Sequence, residues 1–148
     1  MKRTFFKLAI VDDDEYSIKL FEKTVKEIKL WVGLMVFRNE SELTAYLSDR
    51  QNNVPNILFL KLNLPDKNVL VYLQELRKQQ RLQNTLITVY SVTASEESIE
   101  EVFVNGANIY MDQPRTYEEF KTVLEKVLKI NFQYLESNLN IENFLYRI

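Results

Sequence analysis

The sequence predicts an α/β fold in which helices cover both faces of a parallel sheet. Short apolar runs alternate with amphipathic segments of helical period, giving five strand–helix units. Strict alternation of this kind implies right-handed crossovers and a parallel sheet. The run at residues 57–62 is the most apolar and lies between Pro55 and Pro65, as expected of a strand buried on both faces. A chain of 148 residues fits one such domain.

The predicted strands are short and apolar, and polar residues follow most of them. They are Phe6–Val11, Leu34–Phe37, Ile57–Leu62, Leu86–Tyr90 and Ile109–Met111. Lys61 interrupts the pattern of the third strand. Because a lysine almost never enters a fully buried position alone, either the strand opens into a loop at Lys61 or carboxylates face the ammonium group.

Apolar residues three and four apart predict the helices between these strands. Capping boxes at 39–42 and 116–119 mark two helix starts, and Gly106 marks a helix end. The buried stripes are Ile18, Phe21, Val25 and Ile28; Leu43, Tyr46 and Leu47; Val69, Leu70, Leu73 and Leu76; Ile99, Val102 and Phe103; and Phe120, Val123, Leu124, Val127 and Leu128. The period of the last stripe continues through Leu135.

Residues 1–131 are expected to form the domain and 132–148 a C-terminal extension. The end of the extension is too apolar for an idle terminus, so it is expected to pack on the domain or on a partner. Its apolar residues are Ile141, Phe144, Leu145 and Ile148.

Composition excludes several classes of function. The chain contains no cysteine and no histidine, which removes disulfides, zinc–thiolate sites, thiol catalysis and Ser-His catalysis. With only two glycines, neither a Walker phosphate loop nor a dinucleotide-binding glycine motif can be written. The net charge of −2 argues against a nucleic-acid binder, because such proteins usually carry a basic surface.

The chain is also expected to be cytoplasmic and not bound to a membrane. No stretch approaches the roughly 20 apolar residues of a membrane-spanning helix. The apolar start is interrupted by Lys7 and followed by acidic residues 12–15, which favours a strand over a secretory signal.

Ligands of parallel α/β sheets bind at the carboxyl ends of the strands. Taken alone, each polar residue there has an ordinary structural role: the aspartates as helix caps, Lys61 as a strand end reaching solvent, Ser91 as a turn residue. The predicted edge carries Asp12, Asp13, Lys61, Ser91 and Gln113.

The order of the motifs at these strand ends resembles a two-component response-regulator receiver domain of the CheY-like superfamily. The similarity covers roughly residues 7–129. It implies a flavodoxin-like fold, a doubly wound five-stranded sheet with strand order 2-1-3-4-5. The motifs are Val11–Asp14, Leu58–Pro65, Ser91, Gly106–Tyr110 and Gln113–Pro114.

The resemblance assigns roles to individual residues. Asp12 and Asp13 match the family's acidic pair that holds Mg²⁺, with the backbone carbonyl of Asn63 as a third contact. Ser91 matches the hydroxyl that contacts phosphate, and Tyr110 matches the aromatic switch position. The resemblance also implies a cis peptide bond before Pro114.

Two positions depart from the family. Lys61 stands where the family has the phosphoacceptor aspartate, and Gln113 stands where it has a lysine. An ammonium group cannot form an acyl phosphate, so the family's phosphoryl chemistry is predicted to be lost. We expect Lys61 to pair with Asp12 or Asp13 and to compete with Mg²⁺ for their oxygens, leaving metal binding weak or absent.

The sequence therefore predicts an atypical receiver domain that acts as a protein-interaction module without phosphorylation and is not an enzyme. The alternatives are a phosphorylated regulator with another acceptor, such as Asp66, and a small-molecule binder at the strand ends. The expected partner is a histidine kinase, an output protein or a second copy, bound through the fourth helix, fifth strand and fifth helix. On that face lie Glu96, Glu100, Phe103, Tyr110 and Tyr117.

Overall fold

A computed structural model of the protein describes residues 6–28, 32–63 and 68–148. Within these ranges six strands form one sheet in the order β2-β1-β3-β4-β5-β6, and every neighbouring pair is parallel. The strands are β1 (Phe6–Val11), β2 (Val32–Phe37), β3 (Ile57–Lys61), β4 (Leu86–Ser91), β5 (Ile109–Asp112) and β6 (Tyr146–Arg147). The predicted flavodoxin-like order 2-1-3-4-5 is confirmed, and β6 extends the sheet beyond β5.

Helices cross between successive strands and cover both faces of the sheet. They are α1 (Glu15–Glu27), α2 (Glu40–Ser48), α3 (Val69–Arg77), α4 (Glu96–Val104) and α5 (Tyr117–Glu136). Single 3-10 turns occur at Gln80–Leu82 and Ile141–Asn143. No helix in the described ranges has the length and apolar character needed to cross a membrane.

The core has two layers because successive residues of a strand point to opposite faces of the sheet. On one face, Leu58 and Leu60 pack with residues of α2, α3 and α4. On the other, Ile57 and Phe59 pack with residues of α1 and α5. Each fully buried side chain of this size contributes about 1.5–3 kcal/mol. The burial on both faces explains why β3 is continuously apolar up to Lys61.

Both predicted capping boxes begin helices. In each, the glutamate side chain accepts from the N–H of the residue before the cap instead of the N–H of the cap itself. The Asn39 side chain accepts a hydrogen bond from the Glu42 N–H, as a cap requires. The Glu42 carboxylate accepts from the N–H of Arg38, one residue before the cap, at 2.9 Å. Residues 115–119 repeat this arrangement at the start of α5.

Three details differ from the sequence-based expectations. The peptide bond before Pro114 is trans, so the cis prediction was wrong. The buried stripe of α5 continues through Tyr134, whereas Leu135 is exposed. The residues after α5 pack on the domain, which was one of the two expectations, but they do so by adding a strand, β6, that was not predicted, and Phe144 is buried.

Candidate functional site

Strand register places three polar side chains in a row at the carboxyl edge of the sheet. Val11 of β1 is opposite Leu60 of β3, so the next residue, Asp12, reaches the level of Lys61. Lys61 in turn is opposite Tyr90 of β4. The row therefore crosses the three central strands and joins a carboxylate, an ammonium group and a phenol.

Lys61 lies between the two aspartates, and its predicted ion pairs are confirmed. Its Nζ is 3.5 Å from an Asp12 carboxylate oxygen and 3.4 Å from an Asp13 oxygen. Burial alone lowers the pKa of Lys61, but the negative charges of Asp12 and Asp13 outweigh it, and the net result is a raised pKa. Lys61 therefore remains a cation at neutral pH and does not act as a free amine nucleophile.

The fully buried Asp12 carboxylate has donors on both oxygens besides Lys61. The Tyr90 hydroxyl donates to Oδ2 at 2.7 Å, and the Asp14 N–H donates to Oδ1 at 2.9 Å. Burial first, and then the Asp12 charge, raise the pKa of Tyr90 well above its usual value, which keeps the phenol protonated as a donor. Sequence reasoning missed Tyr90 because an aromatic residue in a buried strand resembles ordinary core.

These contacts do not fit the Mg²⁺ that the family resemblance implies. Mg²⁺ needs about six oxygen ligands in octahedral geometry. The ammonium group of Lys61 occupies the space between the two carboxylates, and hydrogen-bond donors already engage both oxygens of Asp12. Among the residues that the structure describes, no three acidic side chains are placed to hold a metal ion together.

Gln113 joins the site through the first turn of α1. Its amide nitrogen donates to the Ser17 hydroxyl at 2.6 Å, and that hydroxyl donates to Asp14 at 2.8 Å. The hydrogen bond from Ser17 is the main cause of the lowered pKa of Asp14. The uncharged amide of Gln113 thus bonds to Ser17, whose hydroxyl bonds to the cap residue Asp14. The sequence did not reveal this role because it depends on Ser17.

Ser91 and Tyr110 form a hydrogen-bonded pair beside this row. Their hydroxyl oxygens are 2.9 Å apart, and Ser91 is fully buried. Tyr110 is only 1% exposed, so its predicted place on a partner surface is wrong: the phenol points inward to Ser91. Burial is also the main cause of the raised pKa of Tyr110.

The other residues of the predicted partner face have different environments. Glu100 is exposed, Phe103 is half-buried against the core, and the ring of Tyr117 lies under the ammonium group of Lys23. Glu96 is exposed but engaged by Arg147 of β6.

Two further candidate residues follow β3 in the sequence. Asn63 is exposed and ends a described range, and Asp66 lies outside the described residues.

Comparison with known proteins supports the same family. The model of the response regulator receiver domain matches residues 8–125. The transcriptional regulatory protein KdpE of Staphylococcus aureus is 31% identical over 142 residues, which cover 96% of this chain and 58% of that protein. The probable C4-dicarboxylate response regulator DctR of Bacillus subtilis is 27% identical, over 93% of this chain and 58% of its own length. The chain therefore spans little more than half the length of these relatives.

Solved structures agree on the fold. The phosphorylated cyanobacterial phytochrome response regulator RcpA superposes with a TM-score of 0.76 at 20% identity, covering 87% of this chain and 95% of that one. A chemotaxis response regulator of Vibrio cholerae, CheY4, superposes with a TM-score of 0.68 at 20% identity, covering 84% and 99% of the two chains. At this level of identity the likeness establishes the architecture alone.

Proposed function

The chain belongs to the response regulator receiver domain family of two-component signalling, and from this premise we propose that it signals by protein–protein contact without accepting a phosphoryl group. Response regulators interact with histidine kinases and with output domains. On this proposal the domain keeps such partners but has exchanged the chemical switch for a fixed set of ion pairs.

One observation supports the proposal: Lys61, which the family resemblance puts at the acceptor position, pairs with both Asp12 and Asp13. A phosphoryl acceptor must present a nucleophile with a free lone pair, and the nitrogen of a protonated amine has none. The two carboxylates that bind Mg²⁺ in the family instead form ion pairs with the ammonium group. The hydroxyl of Ser91, which the family uses toward phosphate, is buried and bonded to Tyr110.

Incubation with acetyl phosphate and Mg²⁺, followed by intact-mass measurement, tests this proposal. We expect the wild-type mass to stay unchanged. The matched control is the double variant Lys61→Asp with Gln113→Lys, which restores the family's acceptor and lysine and is expected to gain a phosphoryl group. Phosphorylation of the wild type, mapped by peptide mass to Asp66 or another residue, would show that the domain uses a different acceptor.

A further inference from the structure

The outer edge of β5 is occupied by the C-terminal segment, which we define as residues 141–148. The Tyr146 N–H donates to the Asn108 carbonyl at 2.7 Å, and the Ile148 N–H donates to the Tyr110 carbonyl at 2.9 Å. An unpaired edge strand is a template on which another strand can form, and natural proteins usually cover or shorten such edges. Here a strand only two residues long provides the cover.

The buried amide of Asn108 binds the backbone of this segment. Its nitrogen donates to the carbonyl oxygens of Ile141 at 2.8 Å and Phe144 at 3.2 Å. Its oxygen accepts hydrogen bonds from the Ile87 N–H and from the Arg77 guanidinium. Because both ends of the amide are engaged, Asn108 is held in the orientation that binds the 3-10 turn at Ile141–Asn143, from which the chain enters β6.

Side chains of the segment add two further contacts. Phe144 is 5% exposed, and its ring centroid lies 5.3 Å from that of Tyr134 and 5.0 Å from that of Tyr146. Arg147 pairs with Glu96 at the start of α4 through two hydrogen bonds of 2.7 and 2.8 Å. The contacts thus select an aromatic residue followed three residues later by a cation.

The geometry points to a strand-docking site: we propose that the β5 edge, with Asn108 and Glu96, binds an extended parallel segment bearing an aromatic residue and a cation three positions later, and that the C-terminal segment occupies this site in cis. A partner protein's strand of the same pattern gains the edge only when the segment leaves. This proposal does not depend on whether the domain is phosphorylated.

Beyond Phe144 and the bonds to Asn108, the contacts of the segment are largely exposed. Its strand has two residues, both exposed, and the Arg147–Glu96 pair is also in solvent, where ion pairs contribute little. Elements with few buried contacts open locally at low cost. The segment nevertheless stays bound because it is covalently attached, and a short link gives it an effective concentration on the order of millimolar at the β5 edge.

A labelled peptide with the sequence of residues 140–148 is the probe, and fluorescence anisotropy measures its binding to variants of this 148-residue chain. Tyr146→Pro removes the N–H that donates to Asn108, and it is expected to release the segment. Leu145→Pro is the matched control, since within the described residues the Leu145 N–H donates no hydrogen bond. We expect the peptide to bind Tyr146→Pro at least tenfold more tightly than it binds wild type or Leu145→Pro.

Charge reversal tests the recognition of the cation. A peptide carrying Arg147→Glu is expected to bind the Tyr146→Pro chain several-fold more weakly than the natural peptide. Adding Glu96→Arg to that chain is expected to reverse the preference. Equal binding of both peptides to both chains would overturn the proposed role of Glu96.

Amide hydrogen exchange establishes whether the segment has left the edge. We expect the Ile148 amide to be protected in wild type and to exchange faster in Tyr146→Pro. Fast exchange in wild type, or a released segment without peptide binding, overturns the proposal. If Tyr146→Pro does not fold, the variant Arg147→Glu at an exposed position replaces it. If Arg147→Glu does not bind the peptide more tightly than wild type does, the proposal is overturned as well.

Discussion

Replacing Lys61 by aspartate tests the role of the lysine most directly. The ammonium group lies 3.5 Å from Asp12 and 3.4 Å from Asp13. Lys61→Asp removes both ion pairs and places a third carboxylate beside the first two. Gln113 supplies no charge to balance them. We therefore expect the variant to be less stable than wild type at neutral pH and low salt.

The size of the loss follows from the burial of each partner. At about 3.5 Å and an effective dielectric constant of about 20, each pair attracts by about 5 kcal/mol before desolvation is counted. Asp13 has a side chain 44% exposed, so its pair belongs with surface ion pairs worth about 0–1 kcal/mol. Asp12 is fully buried, and leaving such a charge unpaired costs about 3–5 kcal/mol. The Asp12 pair therefore dominates an expected loss of about 3–5 kcal/mol.

Added Mg²⁺ is expected to recover part of this loss in Lys61→Asp. A ligand that binds only the folded state stabilises it by about 2.7 kcal/mol when present at 100 times its dissociation constant. The wild type is expected to gain little, because its ammonium group occupies the space between the carboxylates. The control Lys61→Met removes the cation without adding a carboxylate and is expected to gain less than Lys61→Asp. Lys61→Asp with Gln113→Lys is expected to recover stability even without Mg²⁺.

Urea unfolding of the three variants and wild type, each with and without Mg²⁺, gives the required free energies. If Mg²⁺ stabilises the wild type as much as it stabilises Lys61→Asp, the lysine does not take the place of the metal, and the reasoning for this site is refuted.

Three further perturbations have defined outcomes. Tyr90→Phe removes the donor to a buried oxygen of Asp12; we expect a loss of about 1–3 kcal/mol in urea unfolding, and a loss below about 0.5 kcal/mol would contradict the assigned bond. The raised pKa of Lys61 stabilises the fold below the unfolded-state pKa of about 10.4. The free energy of unfolding of wild type is therefore expected to exceed that of Lys61→Met by a constant amount from neutral pH to about pH 9. The difference is expected to disappear as pH rises through the pKa of Lys61 in the folded state. A difference that stays constant through about pH 12 would argue against the ion pairs of Lys61. Gly106→Ala is expected to lower the melting temperature, because the residue has φ +124° and a Cβ would lie 2.5 Å from Arg77 Cγ; an unchanged melting temperature would show that the loop adapts.

Much of the fold follows from local patterns in the sequence. The strands β1, β3, β4 and β5 are largely buried and β2 is half-buried, so their apolar runs stand out, and alternation with helices determines that they are parallel. The strand β6 lacks such a signal. It comprises only Tyr146 and Arg147, both exposed, and exists because β5 offers it hydrogen bonds. Pairing of this kind depends on an edge that the sequence does not display.

The candidate site, like the fold, could be predicted from the sequence only in part. Asp12 and Lys61 were identified because charged residues at the ends of apolar strands are unusual. Tyr90 was not, because only the register of β3 on β4 brings its hydroxyl to Asp12. The inward position of Tyr110 was also missed: the same residue type suits a surface or a core, and the hydroxyl of Ser91 decides between them.

The Lys61 site and the β5 edge differ in the number of arrangements that they allow. The ion pairs of Lys61 and the bond from Tyr90 tie β1, β3 and β4 together at their ends, and no titration near neutral pH loosens them, since the pKa values of both residues are raised. A site held in this way has one arrangement, and a switch needs two. The β5 edge offers two, because the C-terminal segment can be bound or released. Its Arg147 is the register partner of Tyr110, so exchange of the segment for a partner's strand would act directly on the residue that contacts Ser91.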